Sequence, residues 1–166
     1  MKRIALALAA MLMACSPQAA PSEPAVGQAE SGGHAEVGGQ PQSGLEQVPL
    51  TITSATGIHR FTVEIAQTPE QQQHGMMFRT SVAPDRGMIF PYEPPLEVGF
   101  WMKNTLIPLD LIFIRAEGTI ARISTATPLS EARVRSGEPV AAVLEIAGGR
   151  AAELGIRPGD RVEWPR

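Results

Sequence analysis

The chain has 166 residues, 43% hydrophobic and 19% charged, with a formal net charge of −3. The length allows one ordinary domain plus appendages, and the acidic balance argues against a nucleic-acid partner, which needs a basic patch. Cys15 is the only cysteine, so an intramolecular disulfide is excluded.

Met1-Lys2-Arg3 is basic, Ile4 to Met13 is wholly apolar, and Ala14-Cys15-Ser16 follows. A basic start, an apolar run of about ten and small residues after it describe a secretory signal peptide; a membrane-spanning helix needs about 20 apolar residues. Leu12-Met13-Ala14-Cys15 resembles a lipobox. On that reading residues 1–14 are removed and Cys15 carries the lipid that attaches the protein to the membrane. Ser16 after the cysteine points to the outer membrane, facing the periplasm. Ordinary cleavage after Ser16 is the alternative. Removal of residues 1–14 leaves 12 basic against 17 acidic residues, so lipid rather than charge would hold the protein to the cell envelope. Residues 16–46 lack aromatic residues, Lys, Arg and Ile, and carry six glycines and four prolines. Such a composition predicts a disordered tether, with His34 a bystander in it. Residues 47–166 remain for a single folded domain.

In that domain Val48, Leu50 and Ile52 alternate with polar residues, as do Phe61, Val63 and Ile65. They predict two half-buried strands around a turn at 54–57. Thr68-Pro69-Glu70-Gln71 predicts a capped helix start, with Gly75 as one candidate end. Met88 to Phe90 is expected as a short strand ended by Pro91, and Leu96 to Lys103 as a strand with Gly99, Trp101 and Lys103 on one face. Strands follow at Leu109 to Ile114, Thr119 to Ile123 and Val140 to Ile146. A short helix at Arg150 to Leu154 and a last strand at Arg161 to Trp164 complete the pattern. The expected fold is mainly β with two short helices, either a small β-barrel or a curved packed sheet.

The run from Phe100 to Asp110 departs from the habits of the rest of the chain. Lys103 is the only lysine beyond the signal segment, against 11 arginines; Asn104 is the only asparagine, and Asp110 is one of three aspartates against 14 glutamates. A compact ammonium and a side chain suited to turn geometry are not freely replaced by Arg or Gln. Asp110 lies between Leu109 and Leu111, with Ile112 and Ile114 on its own face, a costly setting for an unpaired carboxylate. A hairpin at residues 104–108 would bring Lys103 and Asp110 opposite or one step apart, either to lock a turn or to form part of a site. Trp101 beside Lys103, with Gly99 leaving room, adds an aromatic plate to the candidate residues Trp101, Lys103, Asn104, Asp110 and Arg79.

The run FWMKNTLIPLDLIFI resembles the signature of the domain of unknown function 192. Ala66 to Glu70 leading to Gly75 to Arg79, Arg86 to Phe90, and Leu144 through Gly148 to Gly155–Val162 fit the same pattern. The resemblance spans about residues 48–163 and implies a compact β-rich domain, often behind an export signal or lipid anchor. It implies no reaction. Gln73-His74 replaces the charged residues that the family pattern has before the glycine, which sets His74 aside as a family-wide functional residue.

Three functions are weighed. The first is a tethered module that binds a small molecule, glycan or envelope protein. The second is an envelope enzyme with Lys103, Asp110 and Arg79 around a cleft, although no nucleophile elbow, zinc spacing or phosphate loop accompanies them. The third is Cu(I) held by Met76, Met77, Met88 and Met102 with His74 nearby; methionine is also an ordinary filler of cores. No cofactor and no metal are expected.

Overall fold

The computed structural model describes residues 42–166. The expected lipid-signal segment, Cys15 and most of the expected tether lie outside the described residues.

Alternating apolar residues form β1 (Gln47–Ser54) and β2 (Gly57–Ile65), an antiparallel hairpin in which Leu50 faces Phe61 and Val48 faces Val63. Helix α1 (Pro69–His74) begins as its sequence dictates. Thr68 accepts from the Gln71 amide while the Gln71 side chain returns to the Thr68 amide, and Gly75 ends the helix with φ 50°. Strand β3 (Arg86–Leu96) is far longer than expected, running through Pro91, Pro94 and Pro95. Pairing with its neighbour shifts register between Pro91 and Leu96, where missing amides and a bulge suit each other.

The expected strand from Leu96 to Lys103 is not formed. Only β4 (Gly99–Phe100) is extended, and it pairs with β7 (Val134–Arg135) in a separate two-stranded ribbon. Strands β5 (Leu109–Ile114), β6 (Ile120–Ala126), β8 (Val140–Ala147) and β9 (Arg161–Glu163), with the one-turn helix α2 (Arg150–Glu153), complete the domain. The main sheet has seven strands in the order β6-β5-β8-β3-β2-β1-β9. It curls until its ends touch: Ile120 donates to the Asp160 carbonyl and Val162 to the Gly118 carbonyl, each at 2.8 Å, around a Thr119–Arg161 bridge. A curved sheet meeting itself at one point is the form this mainly-β chain takes.

Period-2 alternation then gives the sheet two buried faces. The inner face holds Leu50, Ile52, Val63, Ile89, Ile112, Ile114 and Leu144, closed by Ala151 and Ile156. The outer face carries Met88, Phe90, Leu109, Leu111, Phe113 and Val143. It would be exposed but for three long connections that cover it, through Ala66, Met76, Phe100, Met102 and Val134. The first connection joins β2 to β3, a parallel pair, and parallel neighbours require a crossover. That crossover carries α1. Gln42, ahead of β1, also packs here, donating to the Gln71 and Gly75 carbonyls at 3.1 and 2.8 Å. The covering connections are irregular, and they build the candidate site.

Candidate functional site over the outer face of the sheet

Among the described residues, three non-glycine residues adopt left-handed backbone: Phe78 (φ 63°), Asn104 (φ 56°) and Leu129 (φ 60°). Asn tolerates this region; Phe and Leu do not, and such strain collects at functional sites. The three belong to one hydrogen-bonded patch. Phe78 N–H donates to the Asn104 carbonyl at 2.8 Å, Leu129 N–H to the Thr105 carbonyl at 3.1 Å, and Met102 N–H to the Ser130 carbonyl at 2.7 Å. Residues 101–105 are thus clamped between two other connections. The Asn104 side chain leans on the Met77 sulfur at 3.9 Å.

On this clamp Trp101 is half-buried. Lys103 Nζ lies 5.2 Å from its ring centroid and the Arg133 guanidinium 5.1 Å, both within cation–π range. Trp101, Lys103 and Asn104 line a depression of about 310 Å³ with Glu70, His74 and Met77. The residues singled out between 101 and 104 do come together, but not by sharing a strand face. Gly99 lies beside two arginines rather than over the depression: a Cβ there would make ordinary contact with the Arg133 and Arg135 side chains at 3.6 and 3.7 Å.

Asp110 is elsewhere. No hairpin joins it to Lys103, because β4 pairs with β7 and β5 pairs with β6 and β8. The carboxylate is 1% exposed on the inner side of the sheet and is saturated. Oδ1 accepts from the Thr125 hydroxyl at 2.6 Å and the Gly149 amide at 2.9 Å, and Oδ2 from the Ala151 amide at 2.8 Å. It therefore caps the start of α2, whose first amides have no helical partner. Gly148 permits this approach, since a Cβ there would lie 2.7 Å from Pro108. The turn-locking role fits Asp110, with α2 rather than Lys103 as its partner.

Arg79 occupies a third setting. It pairs with Glu64 at 2.5 Å, both side chains under one-fifth exposed, and donates to the Gln42 carbonyl at 3.1 Å. It lines another depression, with Glu64, Thr62 and Arg86. Lys103, Asp110 and Arg79 do not surround one cleft. Of the methionines, Met76, Met88 and Met102 are core residues buried in one apolar cluster on the outer face, where Met88 Sδ takes a Gln42 amide at 3.6 Å. No group of three His, Cys, Asp or Glu side chains suited to a metal occurs among the described residues.

Glu145 was passed over in the sequence, although it sits in the apolar strand VAAVLEIA much as Asp110 sits in LDLIFI. It is 4% exposed and faces outward, level with Met88 of β3 and Leu111 of β5. Its Oε2 is buried without a hydrogen-bond partner among the described residues, and so is His74 Nε2. Both side chains line a recess of about 30 Å³, together with Met76, Phe90, Phe100 and Trp101. Burial pushes the Glu145 carboxyl up to about 8, against a smaller lowering by Arg79. Burial likewise raises the Tyr92 hydroxyl, with Glu145 adding to the effect.

The model of the family DUF192, described as an uncharacterised ACR, matches residues 50–164. The chain belongs to this family, whose function is unknown. No curated protein matches it. Among solved structures, a protein of unknown function from Novosphingobium aromaticivorans DSM 12444 is 44% identical with a TM-score of 0.72, covering 81% of this chain and 99% of its own. A protein from Sinorhizobium meliloti 1021, provisionally named a transcription regulator, is 43% identical with a TM-score of 0.71, covering 74% and 97%.

Proposed function

We propose that this DUF192 protein is an exported envelope lipoprotein whose β-rich domain binds a small polar molecule at Trp101. The observation that carries the reading is the clamp itself. Residues 101–105 are held by hydrogen bonds to two separate connections, in which Phe78 and Leu129 take left-handed backbone, and they present an indole and an ammonium over a depression of about 310 Å³. An aromatic plate with a few fixed polar groups is the usual make-up of a small-molecule site. Lys103 and Arg133 would meet an acidic group, and Asn104 a hydrogen-bonding one. Lipid on Cys15 would hold the domain at the outer membrane, facing the periplasm. A regulator's role on DNA is not part of this reading, because 17 acidic residues outnumber 14 basic ones.

Two measurements test it. Cys15→Ala should release the protein from the membrane fraction or leave it unprocessed; unchanged fractionation would end the lipoprotein assignment. A thermal-shift screen of small polar metabolites should find compounds that raise Tm, since binding to the native state stabilises by mass action. Trp101→Ala and Lys103→Met should remove those shifts. Shifts that survive both substitutions, or a screen without any, would defeat the binding site.

A further inference from the structure

Among the described residues three buried side-chain atoms lack a hydrogen-bond partner, Glu145 Oε2, His74 Nε2 and Arg79 Nε, and of these side chains only Glu145 and His74 line the recess. A native fold rarely leaves such groups unpaired, and each instance calls for a missing partner or a function. Arg79 is not that partner. Its charge acts on Glu145, but its Nη2 is bonded to Glu64 and the Gln42 carbonyl, its Nε makes no hydrogen bond to Glu145, and it does not line the recess. Around Glu145 and His74, Phe90 and Phe100 meet edge to face at 5.1 Å, with Trp101, Met76 and Met77 beside them, and the uncharged polar residues Gln72, Gln73 and Thr105 also line the recess.

A carboxyl, an imidazole nitrogen, aromatic rings and thioethers share one preference, for a cation. Carboxylates and neutral imidazoles accept hydrogen bonds, rings attract positive charge, and sulfur is a weak acceptor. The volume of about 30 Å³ limits the occupant to a group the size of one or two waters. A primary ammonium has that size and carries three N–H donors. Gln73, His74, Met77 and Trp101 line both the recess and the surface depression, so the two share a wall.

We propose that the recess bounded by Glu145, His74 and Trp101 seats the primary ammonium of a small alkylamine, the rest of which lies in the depression with any acidic end at Lys103. The inference rests on reading the Trp101 depression as a ligand site and adds the chemical class of the ligand. On binding, the Glu145 carboxyl gives up its proton to solvent and meets the ammonium as a carboxylate. The raised proton affinity that burial gives Glu145 is the state of the empty recess. An ammonium in contact would offset it.

The full mature protein carrying Trp164→Phe leaves Trp101 as its sole tryptophan. Its fluorescence would be titrated with n-butylammonium, γ-aminobutyrate and butyrate. Both amines should give saturable changes with Kd on the order of 1 mM, while butyrate gives none. Glu145→Gln, checked for an intact melting transition, should weaken both amines at least ~10-fold (about 1.4 kcal/mol). Lys103→Met should weaken γ-aminobutyrate alone. Failure of both amines to saturate, or equal binding to Glu145→Gln, overturns the ammonium assignment. If Glu145→Gln does not fold, Glu145→Asp replaces it with the same expectation of weakened amine binding. Saturable binding of butyrate alone, lost in Lys103→Met, overturns the ammonium assignment and leaves the Trp101 site standing.

Discussion

Asp110 and Glu145 are two buried carboxyl groups in neighbouring strands, one rung apart, since Asp110 lies opposite Ile146 and Glu145 opposite Leu111. They point to opposite faces of the sheet. On the inner face Asp110 is met by three donors within 2.9 Å. On the outer face Glu145 has an oxygen with no partner. The surroundings are equally dry, so burial alone does not tell a structural carboxylate from an available one. Satisfaction does: a group whose hydrogen bonds are complete holds the fold together, and one left incomplete is open to a ligand.

The largest effect should come from removing the satisfied group. Asp110→Ala empties a buried position, leaves the buried Ala151 amide without its partner and frees the Gly149 amide and Thr125 hydroxyl, and should lower unfolding free energy by roughly 2–4 kcal/mol in urea titrations. A loss below about 1 kcal/mol would break the contrast. Asp110→Asn keeps the shape and should lie between that variant and the parent.

Glu145 should behave in the opposite sense and depend on pH. Its carboxyl is raised in the fold from the ordinary 4.5 to about 8. Below pH 4.5 it is protonated in folded and unfolded chains alike, and its contribution to stability is fully present. As pH rises towards 8 the unfolded chain releases the proton first, so stability falls by up to ~1.4 kcal/mol per pH unit. Glu145→Gln has no proton to lose. Melting curves of the two proteins should converge near pH 4.5, with the variant the more stable at pH 8. Parallel curves across that range would mean that Glu145 is ionised and paired.

A smaller effect sharpens the contrast further. Lys103 is exposed, so Lys103→Met should change stability by less than about 1 kcal/mol while removing ligand-induced shifts. The smallest expected effect is that of Cu(I). Three of the four methionines among the described residues are enclosed in the outer core, and a copper titration should leave Tm unmoved. A stoichiometric rise abolished by Met77→Leu would instead make a soft metal the occupant of the recess.

Much of this was legible in the residues. The β1–β2 hairpin follows from alternation of small and large apolar side chains with polar ones, and α1 from the Thr68–Gln71 capping box. Asp110 was marked as a buried carboxylate by its neighbours in LDLIFI, and its structural role was among the alternatives raised. Its partners were not legible, because the α2 amides lie about 40 positions away in the chain. Lys103 and Asn104 were marked by their scarcity, and they do stand at the candidate site. Trp101 meets Lys103 through a loop rather than a strand, since the pull of β7 on Gly99 and Phe100 ends β4 after two residues. Glu145 carried the same local signal as Asp110 and went unread. Arg79 was grouped with Lys103 and Asp110 only for want of a third dimension.

By itself the sequence determined a mainly-β fold, the first hairpin and the cap of α1, and which positions are out of character. These are local matters, decided by side-chain periodicity and by hydrogen bonds between residues a few positions apart. Only the tertiary structure decided which face each charge occupies and whether it finds a partner. The parallel crossover from β2 to β3 folds α1 over the outer face and brings His74 to the recess that Glu145 lines. That meeting depends on strand order and sheet curvature, which arise from pairings between distant segments and leave no mark in any one stretch of chain.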